Sequence, residues 1–288
     1  MRNAAGSFGR AAALVVCALT TQAAAPADSG AAQAIPNFAA DDSTAWVLDR
    51  KGGVDDLLAP ASGPGPITWD KAHPYVPNGG GRQPTYRVSD LTNPILQPWA
   101  REQMKKTNDE VLEGKVPYRA RERCFPIGTP GFVIYSLVEP FYFYQTPKEV
   151  TVINQGGPEV RRIHMNVPHS KNPKPSWYGE SVGHYENGDT LVIDTIAVTD
   201  KTFVDNYRTP HTTQMHVIER WKIVEGGNAV ELSMTVEDPG AFTTAWSATQ
   251  RWRKVHLAPL TEIVCNENSA DYMNLYRSPM PTATKPDF

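Results

Sequence analysis

From Phe141 to Val255 the chain is a succession of short segments in which apolar and polar residues alternate: FYFYQT, EVTVINQ, EVRRIHM, SVGHYE, TLVIDTIAV, QMHVIERWKIV, AVELSMTVE and AFTTAWSATQRWRKV. A period of two marks a half-buried strand, because successive side chains point to opposite faces. FVIYSLVE before this array and TEIVC after it extend the pattern. Turn residues separate the segments at Gly156-Gly157, Asn187-Gly188, Gly226-Gly227-Asn228 and Asp238-Pro239-Gly240. Links this short join antiparallel neighbours. About eight to ten such strands remove their edges by closing, so the expected fold is all-β, an antiparallel up-and-down barrel of lipocalin or calycin type. A two-sheet sandwich is the alternative.

The rest of the chain reads differently. Residues 24–120 are rich in Pro and Gly and suggest an extended wrap around the barrel, with one helix near 94–113. In that helix Trp99, Met104, Val111 and Leu112 fall on one side, and Gly114 can end it. The barrel domain is expected over 121–270 and a tail over 271–288. Residues 1–23 read as an export signal: Arg2 and Arg10, an apolar run Ala11–Thr21, then small residues for cleavage. The run is too short to span a bilayer, and no later segment is long and apolar enough to cross one. Cys17 raises a lipoprotein alternative, with bulky Val16 against it. The mature chain is therefore expected to be periplasmic or secreted.

Export bears on the cysteines. Removing the signal leaves Cys124 and Cys265, which in an oxidising compartment most simply pair. Such a bridge would close a loop of about 140 residues and contribute roughly 5 kcal/mol in the chain-entropy model. A net charge of −3 with well-mixed signs argues against a nucleic-acid partner.

The hairpin around Asn187-Gly188 carries the functional question. If those two residues form the loop, Glu186 faces Asp189 and Ser181 faces Asp194. Asp194 then shares a face with Tyr185, Val192, Ile196 and Val198. The next strands add Met215, Val217, Glu219 and Trp221, then Val230, Leu232, Met234 and Val236. That face is apolar and should be the interior. His184, Glu186, His216 and Arg220 go to the other. Asp194 and Glu219 would be diagonal neighbours with Cα atoms about 7 Å apart. Two interior carboxylates suit general acid and general base roles. Equally, each can be a structural acid held by a partner such as Arg162, Arg251 or Tyr185.

Other residues enter as supports. His211, after Pro210 at a strand entrance, is the preferred histidine for proton transfer. Tyr185 can hydrogen-bond a developing oxyanion. Trp221, Trp246, Met215 and Met234 can line a pocket for an apolar or aromatic ligand. The pairs His164/His169 and His211/His216 lack the spacing that sets two imidazoles on one ion, so no metal is expected. PNGGGR lacks the residues of a phosphate loop and no dinucleotide fingerprint occurs, so no cofactor is expected.

Cys124-Phe-Pro, PSWYGESVGHYE (175–186), GDTLVIDT (188–195), Pro210-His211 with HVIER (216–220), Glu237-Asp-Pro239 and CNEN (265–268) together resemble a family of uncharacterised exported bacterial β-rich proteins. The usual tight Trp-Glu-Gly-Asp turn of that family corresponds here to Tyr185-Glu-Asn-Gly-Asp189, one residue longer. The segment from His164 to Lys174 also departs from it. The resemblance implies export and β-rich character and assigns no role to any residue. The resulting expectation is a cofactor-independent lyase or isomerase acting on an apolar or aromatic metabolite. The alternative is a lipocalin-like carrier without turnover.

Overall fold

Strict alternation of burial is the physical consequence of the period-two pattern. In the computed structural model, Glu159, Arg161, Ile163 and Met165 are buried while Val160, Arg162 and His164 face out. The structure describes residues 35–39, 41–49, 91, 95–115, 118–134, 139–156, 159–205 and 208–260. The proposed export signal, Cys17, Cys265, the TEIVC segment and the tail 271–288 lie outside them.

Among the described residues nine strands form a closed barrel: β1 (Thr44–Leu48), β2 (Phe141–Gln145), β3 (Glu149–Asn154), β4 (Glu159–Met165), β5 (Glu180–Glu186), β6 (Thr190–Ile196), β7 (His216–Val224), β8 (Ala229–Glu237) and β9 (Trp246–His256). Strand order follows the sequence, and β1 closes the ring against β9. Helix α1 (Pro98–Leu112) lies where the sequence places it, with Ala100 and Met104 buried. Trp99 is half-exposed and donates its indole N–H to the Gly240 carbonyl. A nearly all-β closed barrel with one main helix and an extended N-terminal segment is the architecture, and a lipocalin-like barrel fits it.

Four details differ from the sequence reading. The segment FVIYSLVE begins as a short helix, α2 (Gly131–Ile134), and not as a strand. The Pro/Gly-rich wrap supplies β1, because Trp46 and Leu48 give even this short run an inward face. Strands β4 and β5 run parallel, joined by the 166–179 crossover, so the barrel is not a pure meander. Finally, Glu186 pairs with Thr190, so Asn187, Gly188 and Asp189 make a three-residue loop. Asn187 (φ 53°) and Gly188 (φ 73°) both occupy the left-handed region that such tight turns demand.

That extra residue moves every side chain of β6 to the opposite face from the one expected. Leu191, Ile193 and Thr195 point inward, and Asp194 points outward opposite Val182 and Ile218. The β7 and β8 assignments are unaffected: Glu219 and Trp221 face the interior with Leu232 and Met234. The core is aromatic. Trp46, Trp221, Trp246 and Trp252 are fully buried, and Phe141 packs between Trp252 (4.7 Å) and Phe132 (4.9 Å). Burying each such ring contributes about 1.5–3 kcal/mol.

Candidate functional site

Two polar groups of residues sit on the barrel, one inside and one outside. The interior group forms because Ile163 and Met165 fix the parity of β4 and so carry Glu159 and Arg161 inward. Arg161 crosses to Glu219 on β7, with Nη2 and Oε2 at 2.5 Å and both side chains essentially inaccessible. This is a close, buried ion pair. Arg161 also donates to Thr195 Oγ1 (2.8 Å) and Ser181 Oγ (3.3 Å), and Glu219 Oε1 has no further partner. The partner of Glu219 is thus Arg161. Its neighbour Arg162 lies outside, paired with Glu149.

Glu159, farther along the same inner row, accepts the Ile127 backbone N–H at 3.2 and 3.3 Å and the Tyr178 hydroxyl. Burial pushes its carboxyl above the usual carboxylate range, against the lowering effect of those donors. The Tyr178 hydroxyl is pushed up in turn, first by burial and then by Glu159, so it stays a donor.

On the inner wall of β7 and β9 several buried polar atoms have no hydrogen-bond partner: the indole nitrogens of Trp221, Trp246 and Trp252, and both side-chain heteroatoms of Gln250. Leaving such a group unsatisfied costs about 1–3 kcal/mol. By contrast, Trp46 donates its indole N–H to the Phe38 carbonyl at 2.9 Å. Met234 lies on the same wall opposite Glu219, and Met215 is buried just before β7.

The outer group centres on Asp194. Its Oδ1 lies 2.8 Å from His216 Nε2 and 3.0 Å from His169 Nε2. His169 comes from the crossover and faces Glu180 Oε1 with its other nitrogen at 3.0 Å. Ser170 donates its backbone N–H (2.8 Å) and hydroxyl (2.5 Å) to Glu180. The Ser170 hydroxyl, then its N–H and His169, hold Glu180 below the usual carboxylate range. Glu237 Oε2 stands 3.9 Å from His216 Nδ1, beyond hydrogen-bond reach. The cluster is part-exposed: the Asp194 side chain is 39% accessible and His216 33%.

The expected catalytic residues are therefore separated. Asp194 and Glu219 sit on adjacent strands but on opposite faces, because the turn is one residue longer than assumed. Tyr185 faces inward, where its hydroxyl accepts from Gln145 Nε2 at 2.9 Å. His211 is buried, its Nε2 2.8 Å from the Thr202 hydroxyl and its Nδ1 donating to the Thr212 carbonyl at 3.1 Å. Burial holds its ring below the usual histidine range, and because both nitrogens are engaged none is offered to a substrate. Trp221 and Trp246 are buried on the inner wall. The expected Cys124–Cys265 bridge involves a residue outside the described set.

Sequence reasoning missed His169, Glu180, Glu159 and Arg161. The period-two parity of Ile163 and Met165 was a usable signal for the last two. Nothing comparable marks His169, which reaches Asp194 through a loop. Among the described residues no group of three His, Cys, Asp or Glu side chains is arranged to hold a metal ion, and no helix is long and apolar enough to cross a membrane. Compared with known proteins, the chain matches no family model and no curated sequence.

Proposed function

We propose that the protein is an acid–base enzyme, a lyase or isomerase that acts on a small uncharged molecule through His216 and Asp194. The observation that carries this reading is the shared Asp194 Oδ1, which takes His216 Nε2 at 2.8 Å and His169 Nε2 at 3.0 Å. A carboxylate on one ring nitrogen fixes the tautomer and leaves the other nitrogen with its lone pair. In His216 that other nitrogen is Nδ1, with Glu237 too distant to occupy it. His216 Nδ1 would remove a proton from carbon. The electron pair left behind forms a double bond, and either a leaving group departs from the next carbon or His216 returns the proton elsewhere. His169 is a positioning residue that holds Asp194 in place.

Glu180, Asp194 and Glu237 crowd the site with carboxylates, so the reacting end of the substrate is not anionic. An apolar or aromatic metabolite meets that requirement. Export belongs to the same proposal: the Ala11–Thr21 run directs the chain out, and Cys124 pairs with Cys265 in an oxidising compartment.

The test is turnover of pooled neutral aromatic metabolites by the mature chain, followed by mass spectrometry, which also counts free thiols. Conversion in wild type should fall at least 100-fold in both Asp194→Asn and His216→Gln, within the range that general base catalysis contributes. A substrate-independent readout accompanies it. Diethyl pyrocarbonate should modify His216 faster than the more exposed His164, and Asp194→Asn should erase that preference. Turnover surviving in both variants, or His164 reacting first in wild type, would sink the assignment. Two free thiols would refute the disulfide.

A further inference from the structure

The outer site leaves the inner wall of β7, β8 and β9 unexplained. Glu219, Trp221, Gln250 and Trp252 are at most 3% exposed, and each has polar atoms without a hydrogen-bond partner. They are close together. Trp221 and Gln250 both oppose Leu232, Glu219 opposes the adjacent inward residue Met234, and the rings of Trp221 and Trp252 are 6.3 Å apart. Trp46, Glu159 and Tyr185, elsewhere in the interior, all have partners. Native interiors satisfy nearly all their buried polar atoms. A wall with two indole N–H groups, a primary amide and an open carboxylate calls for a molecule that supplies the missing partners.

We propose that this wall is a binding site for a hydroxylated aromatic molecule held inside the barrel, independent of the Asp194 site. The class follows from the chemistry of the groups. Trp221, Trp252 and Leu232, in an interior where Phe141 and Phe143 pack on the indoles, give the site an apolar lining suited to a planar ring. Indole N–H groups and the Gln250 amide donate to ligand oxygens. Glu219, paired with Arg161 through Oε2 and with Oε1 left over, accepts from a ligand hydroxyl. Trp246, on the same inner row of β9, adds a further donor toward the other end. Water alone is the competing occupant, and it would confer no preference among aromatic probes.

The experiment titrates the mature full-length chain with 1-naphthol and, separately, with naphthalene, reading tryptophan emission. Saturable quenching by 1-naphthol is expected, with naphthalene at least ten-fold weaker. Gln250→Leu, which keeps the volume and removes the amide, and Trp252→Phe, which removes an indole N–H, should each weaken 1-naphthol at least five-fold. The outer-face variant Lys222→Gln should bind as wild type does. Far-ultraviolet circular dichroism confirms the fold, and should Gln250→Leu fail to fold, Trp252→Phe decides alone. No saturable quenching, equal affinity for the two probes, or unchanged affinity in the folded variants would overturn the proposal. Because neither substitution touches Asp194 or His216, failure here leaves the outer site standing, and loss of turnover there leaves this one standing.

Discussion

Glu159 is the residue whose protonation most directly reports on folding. Its side chain is buried, and burial raises its native pKa despite hydrogen bonds from Tyr178 and the Ile127 N–H. The native state therefore binds a proton that the unfolded chain has already released. The associated stability is complete below the ordinary glutamate value of about 4.3 and is lost as pH rises through the raised native value. Glu159→Gln keeps an oxygen to accept both donors and removes the titration. The variant should gain melting temperature relative to wild type as pH goes from 4 to 8, and thermal unfolding across that range checks it. A constant difference between the two proteins would show that Glu159 does not titrate on folding. Legibility at this scale was uneven for a physical reason. Glu219 could be placed inside because its strand alternates cleanly, whereas Asp194 depended on a turn whose length the Asn-Gly pair does not dictate.

The crossover between β4 and β5 is the element that sequence alone did not foresee, since short turn signals favour antiparallel neighbours. Gly179 makes the crossover fit. It has φ +69°, and a Cβ added there would lie 2.3 Å from the Ile196 carbonyl oxygen and 2.9 Å from Val198 Cγ2. The first of these is backbone of the barrel and cannot swing aside. Gly114 has a similar φ of +83° with nothing within 4 Å, so it isolates the cost of the dihedral. Gly114→Ala should cost about 1 kcal/mol, and Gly179→Ala about 2–3 kcal/mol, in urea unfolding. Equal losses would mean that β6 yields to the methyl and that the crossover is not tightly seated. The strap also carries His169 to Asp194 and Tyr178 to Glu159, so its placement positions one residue at each polar group. Neither contact has a local sequence signature, because each depends on where a proline-rich loop lands.

At the scale of the whole molecule, closure depends on the strand hidden in the N-terminal segment. β1 pairs with β9 over five residues, from Thr44↔His256 to Leu48↔Trp252, but meets β2 only at Trp46↔Phe141. The narrow seam is reinforced from outside the ladder. Gln145 on β2 accepts the Phe38 N–H at 2.7 Å and donates to the Pro36 carbonyl at 2.9 Å, while Phe38 stacks on Phe143 at 5.0 Å. Residues 36–39 and 41–48 thus span the gap as clamp and strand together. Without them β2 and β9 would present open edges beside Phe141 and Trp252, and unpaired edges recruit other chains. A chain beginning at residue 35 should be monomeric and melt cooperatively. One beginning at residue 49 should associate, and its melting should lose cooperativity. Light scattering and calorimetry on the pair decide the point. If the shorter chain stays monomeric with an unchanged transition, the barrel does not need β1 to close, and the N-terminal segment would be a covering layer as its composition alone suggests.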